Sequence, residues 1–247
     1  MNDLRNFWQR ILRESADQDC SVPIAVFMAG GPGSGKSTVI QKLGLAQSLE
    51  VINPDDAYEA GLRDAGLPLD GESIWAQYRP IKEKYRQAVE AGDDDAIGRV
   101  EPEYQRLRNI LSKNMKIFAA ARKSAKERQS YKAQCKDSFL VDGTGGDLKG
   151  TMKQIRALRD AGYDVGMVFV EVPLATSIER NQARGIQGGR RLADSTVERS
   201  WSAVNRNKDA YTEELGPNFF LIDASEDNFD ASIAAAMGPV QAFLRRE

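Results

Sequence analysis

The sequence of 247 residues contains no histidine and only two cysteines, Cys20 and Cys135. The absence of histidine excludes His-based general-base catalysis, Ser-His-Asp and Cys-His triads, and any His-ligated metal site. Two distant cysteines are too few for a disulfide framework or a structural zinc site. Any catalytic base must therefore be a carboxylate, a lysine, a tyrosine or a cysteine.

The sequence also lacks a long apolar run. No stretch approaches the roughly 18 consecutive apolar residues of a membrane span, and the charged N-terminus has no apolar region typical of a secretory signal. Basic and acidic side chains are nearly balanced, at 34 and 36, so the net charge of −2 gives no whole-protein signal for nucleic acid. We therefore expect a cytoplasmic protein with no membrane partner.

Short apolar segments alternate with helical patterns along the chain. Strands are predicted at 23–29, 49–53, 138–142, 163–173 and 218–223. Helices are predicted at 3–17, from the glycine cluster after the first strand to about 47, and at 147–162, 174–184, 194–214 and 228–246. Residues 55–135 lack a convincing strand and predict a helical insertion. The pattern predicts a single α/β domain over 1–247, with a five-stranded, mainly parallel sheet covered on both faces.

A glycine-rich motif of the form G-x-x-x-x-G-K-[ST] follows the first predicted strand. The candidate nucleotide-binding residues are Gly30, Gly31, Pro32, Gly33, Ser34, Gly35, Lys36, Ser37 and Thr38. The glycines let backbone N–H groups wrap phosphate oxygens, and the N-terminus of the following helix adds its dipole. Lys36 is expected to reach the β- and γ-phosphates, and the Ser37 hydroxyl is expected to bind Mg²⁺.

Acidic side chains follow the second and third predicted strands. Asp55 can face the γ-phosphate and act as a base, because the carboxyl ends of parallel strands share one edge of the sheet. The same segment also fits an ordinary helix start, with Asn53 as the N-cap and Pro54 in the first turn, and the two interpretations are compatible. Asp142 ends an apolar strand, which is the Walker B pattern of a carboxylate that holds Mg²⁺ or its water.

Four arginines crowd a glycine-containing segment near residue 185. They are Arg180, Arg184, Arg190 and Arg191. Guanidinium groups suit phosphate oxygens, and glycines allow a loop to close over a nucleotide. The segment predicts a lid in which one or two arginines stabilise the charge of a transferring phosphoryl group. A solvated basic turn is the alternative interpretation.

A further basic segment lies inside the predicted insertion. Residues 104–136 carry ten lysines and arginines against one acid, Glu127. This pattern fits the solvated face of an amphipathic helix. It also fits a surface that attracts an anionic substrate, either a nucleotide derivative or a polynucleotide end.

Taken together, these motifs resemble those of the zeta-toxin-like and polynucleotide-kinase-like P-loop kinases. The resembling segments are Gly30–Thr38, Ile52–Asp55, Val141–Gly145 with Leu158–Tyr163, and Ile178–Arg180 with Gly189–Arg191. The resemblance covers most of the chain, except the N-terminal helix and much of 60–135. It implies the three-layer sandwich of P-loop NTPases, with ATP and Mg²⁺ as ligands.

The resemblance also implies roles for individual residues. Asp55 matches the base that activates the acceptor hydroxyl. Asp142 takes the place of an acidic residue, often glutamate, that precedes a Gly-Thr pair near the acceptor, so Asp142 and Thr144 are candidate acceptor contacts. The two lid arginines of the zeta-like pattern match Arg180 and either Arg190 or Arg191. The polynucleotide-kinase pattern instead emphasises Arg184.

The leading hypothesis is an ATP-dependent kinase that phosphorylates a hydroxyl of a nucleotide sugar or a similar small anionic acceptor, as zeta toxins phosphorylate UDP-N-acetylglucosamine. A 5′-hydroxyl polynucleotide kinase is an alternative that the basic segment favours. A nucleotide-binding ATPase switch without an acceptor is an alternative from another class. A toxin would need an antitoxin-like protein partner, and the sequence does not identify one.

Overall fold

A five-stranded parallel sheet forms the centre of the computed structural model, which describes residues 22–245. The predicted helix over 3–17 lies outside these residues. The strands are β1 (Ile24–Ala29), β2 (Glu50–Ile52), β3 (Phe139–Asp142), β4 (Asp164–Glu171) and β5 (Phe219–Asp223). All their pairings are parallel, in the spatial order β2-β3-β1-β4-β5. The predicted α/β class and strand number are confirmed.

Helices flank this sheet and fill the long connection between β2 and β3. They are α1 (Lys36–Lys42), α2 (Leu45–Ser48), α3 (Pro54–Asp64), α4 (Gly71–Ala91), α5 (Asp94–Cys135), α6 (Leu148–Asp160), α7 (Leu174–Ile186), α8 (Asp194–Arg206), α9 (Lys208–Leu215) and α10 (Phe229–Arg245). The helical insertion therefore consists of α3, α4 and α5. Among the residues described, no helix combines the length and apolarity needed to cross a membrane.

Both faces of the sheet are buried, which explains why β1 is apolar at every position. Alternate side chains of β1 point to opposite faces, and all six residues are buried. Met28 belongs to the core on the side of α1, α2 and α10. Phe27 belongs to the core on the side of α6 and α9. The result is the predicted arrangement of three layers.

Two of the predicted helices are interrupted. The prediction of one helix over 194–214 is wrong, because the helix is interrupted at Asn207, between α8 and α9. The side-chain amide of Asn207 donates hydrogen bonds to the backbone oxygens of Gly145 (2.9 Å) and Gly146 (3.1 Å). The helix predicted to run to about 47 ends after α1 instead, because Gly44 adopts the left-handed conformation with φ 68°.

The 42-residue helix α5 is attached to the sheet near its C-terminal end. There, Lys132 Nζ lies 2.7 Å from the carboxylate of Glu50 on β2, and Arg128 bonds to the same carboxylate. Hydrogen bonds to Glu50 and Asp137 raise the pKa of Lys132 to about 12. Earlier in α5, Leu107 and Leu111 pack with Ile74 of α4 in a small separate core.

The burial of the sheet predicts unequal costs for two leucine truncations. Leu140 on β3 is fully buried, whereas Leu221 on β5 is 45% exposed. We expect Leu140→Ala to lower the free energy of unfolding by about 2–5 kcal/mol, because it leaves a cavity between packed layers. Leu221→Ala is the matched control and should cost about 1 kcal/mol or less. Urea unfolding followed by circular dichroism measures both, and equal losses would contradict the assigned core.

Candidate functional site

The glycine-rich loop between β1 and α1 is shaped to receive an anion. Gly33 and Gly35 adopt left-handed conformations with φ 76° and 93°. A Cβ at Gly33 would overlap the backbone oxygen of Ser177, so the loop packs closely at this point. Gly35 is the N-cap of α1 and supplies no side-chain cap. The N–H groups of the first turn of α1 are therefore left for an anion to bind.

The ammonium group of Lys36 is turned back onto this loop. Its Nζ donates to the backbone oxygens of Gly30 (2.8 Å) and Gly31 (3.2 Å). Desolvation of the ammonium lowers the pKa of Lys36, while the carboxylates of Asp142 and Asp55 oppose this shift. Lys36 thus has both acidic residues in electrostatic range, and neutral carbonyl oxygens accept its hydrogen bonds.

The three hydroxyl groups of the loop have different environments. Ser34 is buried, and its Oγ has no hydrogen-bond partner among the described residues. Ser37 and Thr38 are exposed in the first turn of α1. A buried hydroxyl without a partner costs free energy, so the loop favours a ligand that supplies one. The assignment of Ser37 to Mg²⁺ stays a prediction.

Asp142 is a buried and half-partnered carboxylate at the end of β3. Asn53 Nδ2 donates to its Oδ2 at 3.2 Å, whereas its Oδ1 is buried without a partner in the described part of the chain. Burial raises the pKa of Asp142, and the Lys36 ammonium opposes this shift. An unsatisfied carboxylate oxygen is a ligand that a hard divalent cation prefers, so this residue fits a Mg²⁺ site.

Asp55 lies in the first turn of α3, on the side of the site towards the insertion. Its backbone N–H donates to Asn53 Oδ1 at 2.9 Å, so the predicted helix start with Asn53 and Pro54 is confirmed. The Asp55 side chain is 54% exposed, and its Oδ1 lies 2.8 Å from Arg190 Nη1. The carboxylate therefore contacts the arginine-rich segment and lies within electrostatic range of Lys36.

Three of the four predicted lid arginines lie near the loop or its acidic neighbours. Arg180 donates from Nη2 to the backbone oxygen of Ala224 at 3.1 Å, and its other terminal nitrogen lies beside Gly35. Arg184 is close enough to Lys36 to lower the lysine pKa further. Arg190 binds Asp55, as described above.

Arg191 is placed differently from the other three. Its guanidinium is 45% exposed and lies 4.0 Å from Asp194 Oδ1 at the start of α8. The two arginines that the sequence left interchangeable are therefore distinguished by position. Arg190 forms an ion pair with Asp55 of α3, whereas Arg191 lies near Asp194, at the start of α8.

Thr144 connects the loop after β3 with the phosphate-binding loop. Its backbone oxygen accepts from the Gly30 N–H at 3.0 Å, and its Oγ1 accepts from the Gly146 N–H at 3.3 Å. The hydroxyl therefore already stabilises a local turn. Its predicted contact with an acceptor is untested.

Other residues near the site were missed by sequence reasoning. Trp201 packs against Gly31 and donates from its indole nitrogen to the Val172 backbone oxygen at 2.7 Å. The Arg190 guanidinium lies over the face of the Tyr58 ring, with its carbon 5.3 Å from the ring centroid. The i, i+3 spacing from Asp55 could have placed Tyr58 on the same helical face. No sequence signal pointed to Trp201.

Comparisons with known proteins agree with this architecture. A family model described as an AAA domain matches residues 26–207. The structure of a presumed kinase from Chloroflexus aurantiacus J-10-fl has a TM-score of 0.56 at 14% identity, and the match covers 90% of this chain and 99% of that one. A search of curated protein sequences gave no match.

Two further solved structures are similar at lower scores. One, from the PezAT chromosomal toxin-antitoxin system of Streptococcus pneumoniae, has a TM-score of 0.48 at 14% identity and covers 92% of this chain and 78% of that one. The other, a gluconokinase from Sinorhizobium meliloti 1021, has a TM-score of 0.43 at 14% identity, with 91% and 93% covered. Neither score adds to the assignment. The family match covers well over half of the sequence, so the chain belongs to the AAA domain family, and its sheet and phosphate-binding loop give it the P-loop kinase fold.

Proposed function

We propose that the protein is an ATP-dependent phosphotransferase in which Asp55 activates the hydroxyl group of an acceptor. The observation that carries this proposal is the position of Asp55, which is exposed, within electrostatic range of Lys36, and bound to Arg190 at 2.8 Å. A site that only binds a nucleotide does not need an exposed carboxylate beside the lysine of its phosphate-binding loop. Phosphoryl transfer needs a group that orients the acceptor hydroxyl and takes its proton.

In the proposed reaction, the acceptor oxygen attacks the γ-phosphorus of ATP as its proton passes to the Asp55 carboxylate. The bond from the acceptor oxygen to phosphorus forms, the bond from phosphorus to the β,γ-bridging oxygen breaks, and ADP leaves. Lys36 and the lid arginines Arg180, Arg184 and Arg190 stabilise the negative charge on the phosphoryl oxygens. The N–H groups of the first turn of α1 hold the phosphates.

Asp142 and Ser37 are the residues that would hold Mg²⁺. The ion, when bound, neutralises charge on the phosphate oxygens. The buried Oδ1 of Asp142 has no partner among the described residues, which supports a cation at this place. Asn53 fixes the other carboxylate oxygen, so the free oxygen keeps one orientation.

For the acceptor, we favour a nucleotide sugar or a similar small anion, as the zeta-toxin-like motifs imply. The sequence motifs around Asp55 and Asp142 support this choice, and the arginine side chains nearby suit an acceptor that carries phosphate. Thr144 and Asp142 are the proposed acceptor contacts. An antitoxin-like partner belongs to this proposal only if the protein acts as a toxin.

A 5′-hydroxyl polynucleotide kinase is the second candidate, and one observation favours it. A groove of about 460 Å³ between α4 and α5 is lined by aromatic, apolar and basic side chains, including Trp75, Tyr78, Met115, Arg108 and Lys116. Neither Arg108 nor Lys116 forms an ion pair within residues 22–245. Aromatic faces beside unpaired cations suit the bases and phosphates of a single strand.

The role of Asp55 is tested with γ-labelled ATP and Mg²⁺ in two acceptor pools. One contains nucleotide sugars and nucleosides, and the other contains 5′-hydroxyl oligonucleotides. We expect Asp55→Asn to lower transfer by about 10²–10⁴-fold, because the variant cannot accept the proton. Binding of ATP and Mg²⁺ should stay close to wild type, since Asp55 does not hold the phosphates.

The variant Asp64→Asn is the control, because it removes the same charge from the exposed C-terminal end of α3. It should retain most of the transfer. Label on an acceptor names the acceptor class. Free phosphate alone, released equally by wild type and Asp55→Asn, would reject the proposed mechanism and favour an ATPase switch.

The buried carboxylate of Asp142 predicts a pH dependence of stability. Because burial raises its pKa, the folded protein binds this proton more tightly than the unfolded chain. The stabilisation that the protonated Asp142 carboxyl provides is therefore lost as the pH rises from the ordinary pKa of 3.8 through the raised pKa of the folded protein. Without Mg²⁺ and nucleotide, the free energy of unfolding of wild type relative to Asp142→Asn should fall over this window and then stay constant.

Urea unfolding across this pH range measures the difference, and Asp164→Asn at the far end of β4 corrects for the change in net charge. We also expect Asp142→Asn to lose the Mg²⁺ dependence of ATP binding. A difference between wild type and Asp142→Asn that does not change with pH would contradict the assigned burial of this carboxylate.

The second candidate predicts a salt effect at the groove. If an oligonucleotide occupies it, Lys116→Glu should raise the oligonucleotide KM and reduce the slope of log KM against log salt by about 1. Lys153→Glu makes the same charge change on the exposed face of α6 and is the control. Equal slopes for the two variants would exclude the groove as the oligonucleotide site.

A further inference from the structure

The lid and the helical insertion meet at one arginine. Arg190 belongs to the segment between α7 and α8, yet its guanidinium bonds to Asp55 and lies over the ring of Tyr58, both on α3. The Arg190 side chain is only 14% exposed, although the segment contains Gly188 with φ 79°. A long cation on a glycine-containing segment is therefore held by contacts with another element.

Tyr58 is itself fixed by α5. Its hydroxyl donates to Asn114 Oδ1 at 2.6 Å, and its ring packs edge-to-face with Phe118 at 5.3 Å between centroids. Arg122 covers the Phe118 ring, with its guanidinium carbon 5.6 Å from the centroid. The orientation of the Tyr58 ring is thus set by two side chains of α5, Asn114 and Phe118.

We infer that Tyr58 and Asn114 are positioning residues for Arg190, through which the insertion controls where the lid arginine sits. A guanidinium over an aromatic face is attracted to it, and the face also excludes water from one side of the cation. Asn114 holds the Tyr58 ring through a hydrogen bond, and Asp55 holds the Arg190 guanidinium by accepting a hydrogen bond from Nη1. The lid arginine is therefore held beside the proposed base by contacts that need no nucleotide.

The catalytic consequence of this inference rests on the proposed function, because it assumes that Arg190 stabilises the transferring phosphoryl group. The placement of Arg190 by Tyr58 and Asn114 does not depend on the proposed function. Two readouts on the full-length protein are therefore needed: hydrogen exchange of the lid without nucleotide, and the separate kcat and KM of phosphate release or transfer from ATP.

Hydrogen exchange tests the placement. The amide N–H groups of Gly188, Gly189 and Leu192 are hydrogen-bonded in the lid, so their exchange reports its opening. We expect Tyr58→Leu and Arg190→Ala each to speed exchange in peptides covering 187–193 by roughly three- to tenfold. The double variant should exchange no faster than Arg190→Ala alone, because both substitutions remove the same contact between Arg190 and the Tyr58 ring.

Tyr58→Phe and Asn114→Ala keep the aromatic ring and guard against loss of folding in Tyr58→Leu. Both remove the hydrogen bond that orients the ring, so each should cause a smaller increase in lid exchange, and Tyr58→Phe should restore part of the loss in Tyr58→Leu. Ile186→Ala is the control, because the Ile186 side chain at the end of α7 is 88% exposed, and it should leave the exchange of the Gly188 and Gly189 amides unchanged. Effects of Tyr58→Leu and Arg190→Ala that simply add would overturn the inference.

Kinetics test the consequence. Tyr58→Leu should lower kcat more than it raises the KM for ATP, and this effect should disappear in the Arg190→Ala background. A purely structural role of Tyr58 would lower activity equally in both backgrounds, which would overturn the inference. If wild type shows Tyr58-dependent lid protection but no turnover of ATP, the proposed function fails and the placement of Arg190 stands.

Discussion

The parallel register of β1 with β3 is the constraint on which the candidate site depends. Met28 pairs with Asp142, and two residues further along each strand the Gly30 N–H bonds to the Thr144 oxygen at 3.0 Å. These two contacts hold the phosphate-binding loop and the acidic end of β3 at fixed distance. A slip of one residue would move Asp142 by about 3.3 Å along the strand and turn its side chain to the opposite face. The chemistry of this edge is thus set by backbone pairing in the sheet.

Lys36 and Asp142 at this edge of the sheet are both charged groups that are desolvated by burial, and a bound ligand can offset this cost. Desolvation lowers the pKa of Lys36 and raises that of Asp142, so both groups are shifted towards their neutral forms. Their mutual attraction only partly offsets the cost of burial. A phosphate oxygen would compensate the lysine, and a divalent cation would compensate the carboxylate. Free energy of folding that is lost in bringing these two groups together is therefore available to favour binding.

The parts of the fold that the sequence predicts well depend on short-range patterns. The glycine spacing from Gly30 to Lys36, the apolar run of β1 and the helix start at Asn53 are each contained within a few residues, and the structure has all three. The break at Asn207 was not predicted, because it results from hydrogen bonds to a loop about 60 residues away. Local periodicity cannot represent such a contact.

The same distinction applies to the site. The arginine content of 180–191 predicts a lid, but only tertiary packing separates Arg190 from Arg191. The bond from Tyr58 to Asn114 joins residues 56 positions apart. Its Asn114 partner could not be found from spacing, although Tyr58 shares a helical face with Asp55. Sequence reasoning therefore named most of the side chains that the structure brings together in the candidate site, whereas the contacts between them are found only in the structure.

Two of the polar contacts of α5 give this helix a mechanical property. Lys132 joins it to the sheet through Glu50, and Asn114 joins it to Tyr58 beside the site. Lys132 is eighteen positions after Asn114, which corresponds to about 27 Å of helix at 1.5 Å per residue. A tilt of about 5° around the attachment at Glu50 would displace Asn114 by about 2 Å, which is comparable to the difference between a hydrogen bond and no contact. The long helix therefore has the geometry of a lever arm, in which a small rotation at the sheet edge corresponds to a larger displacement beside the site.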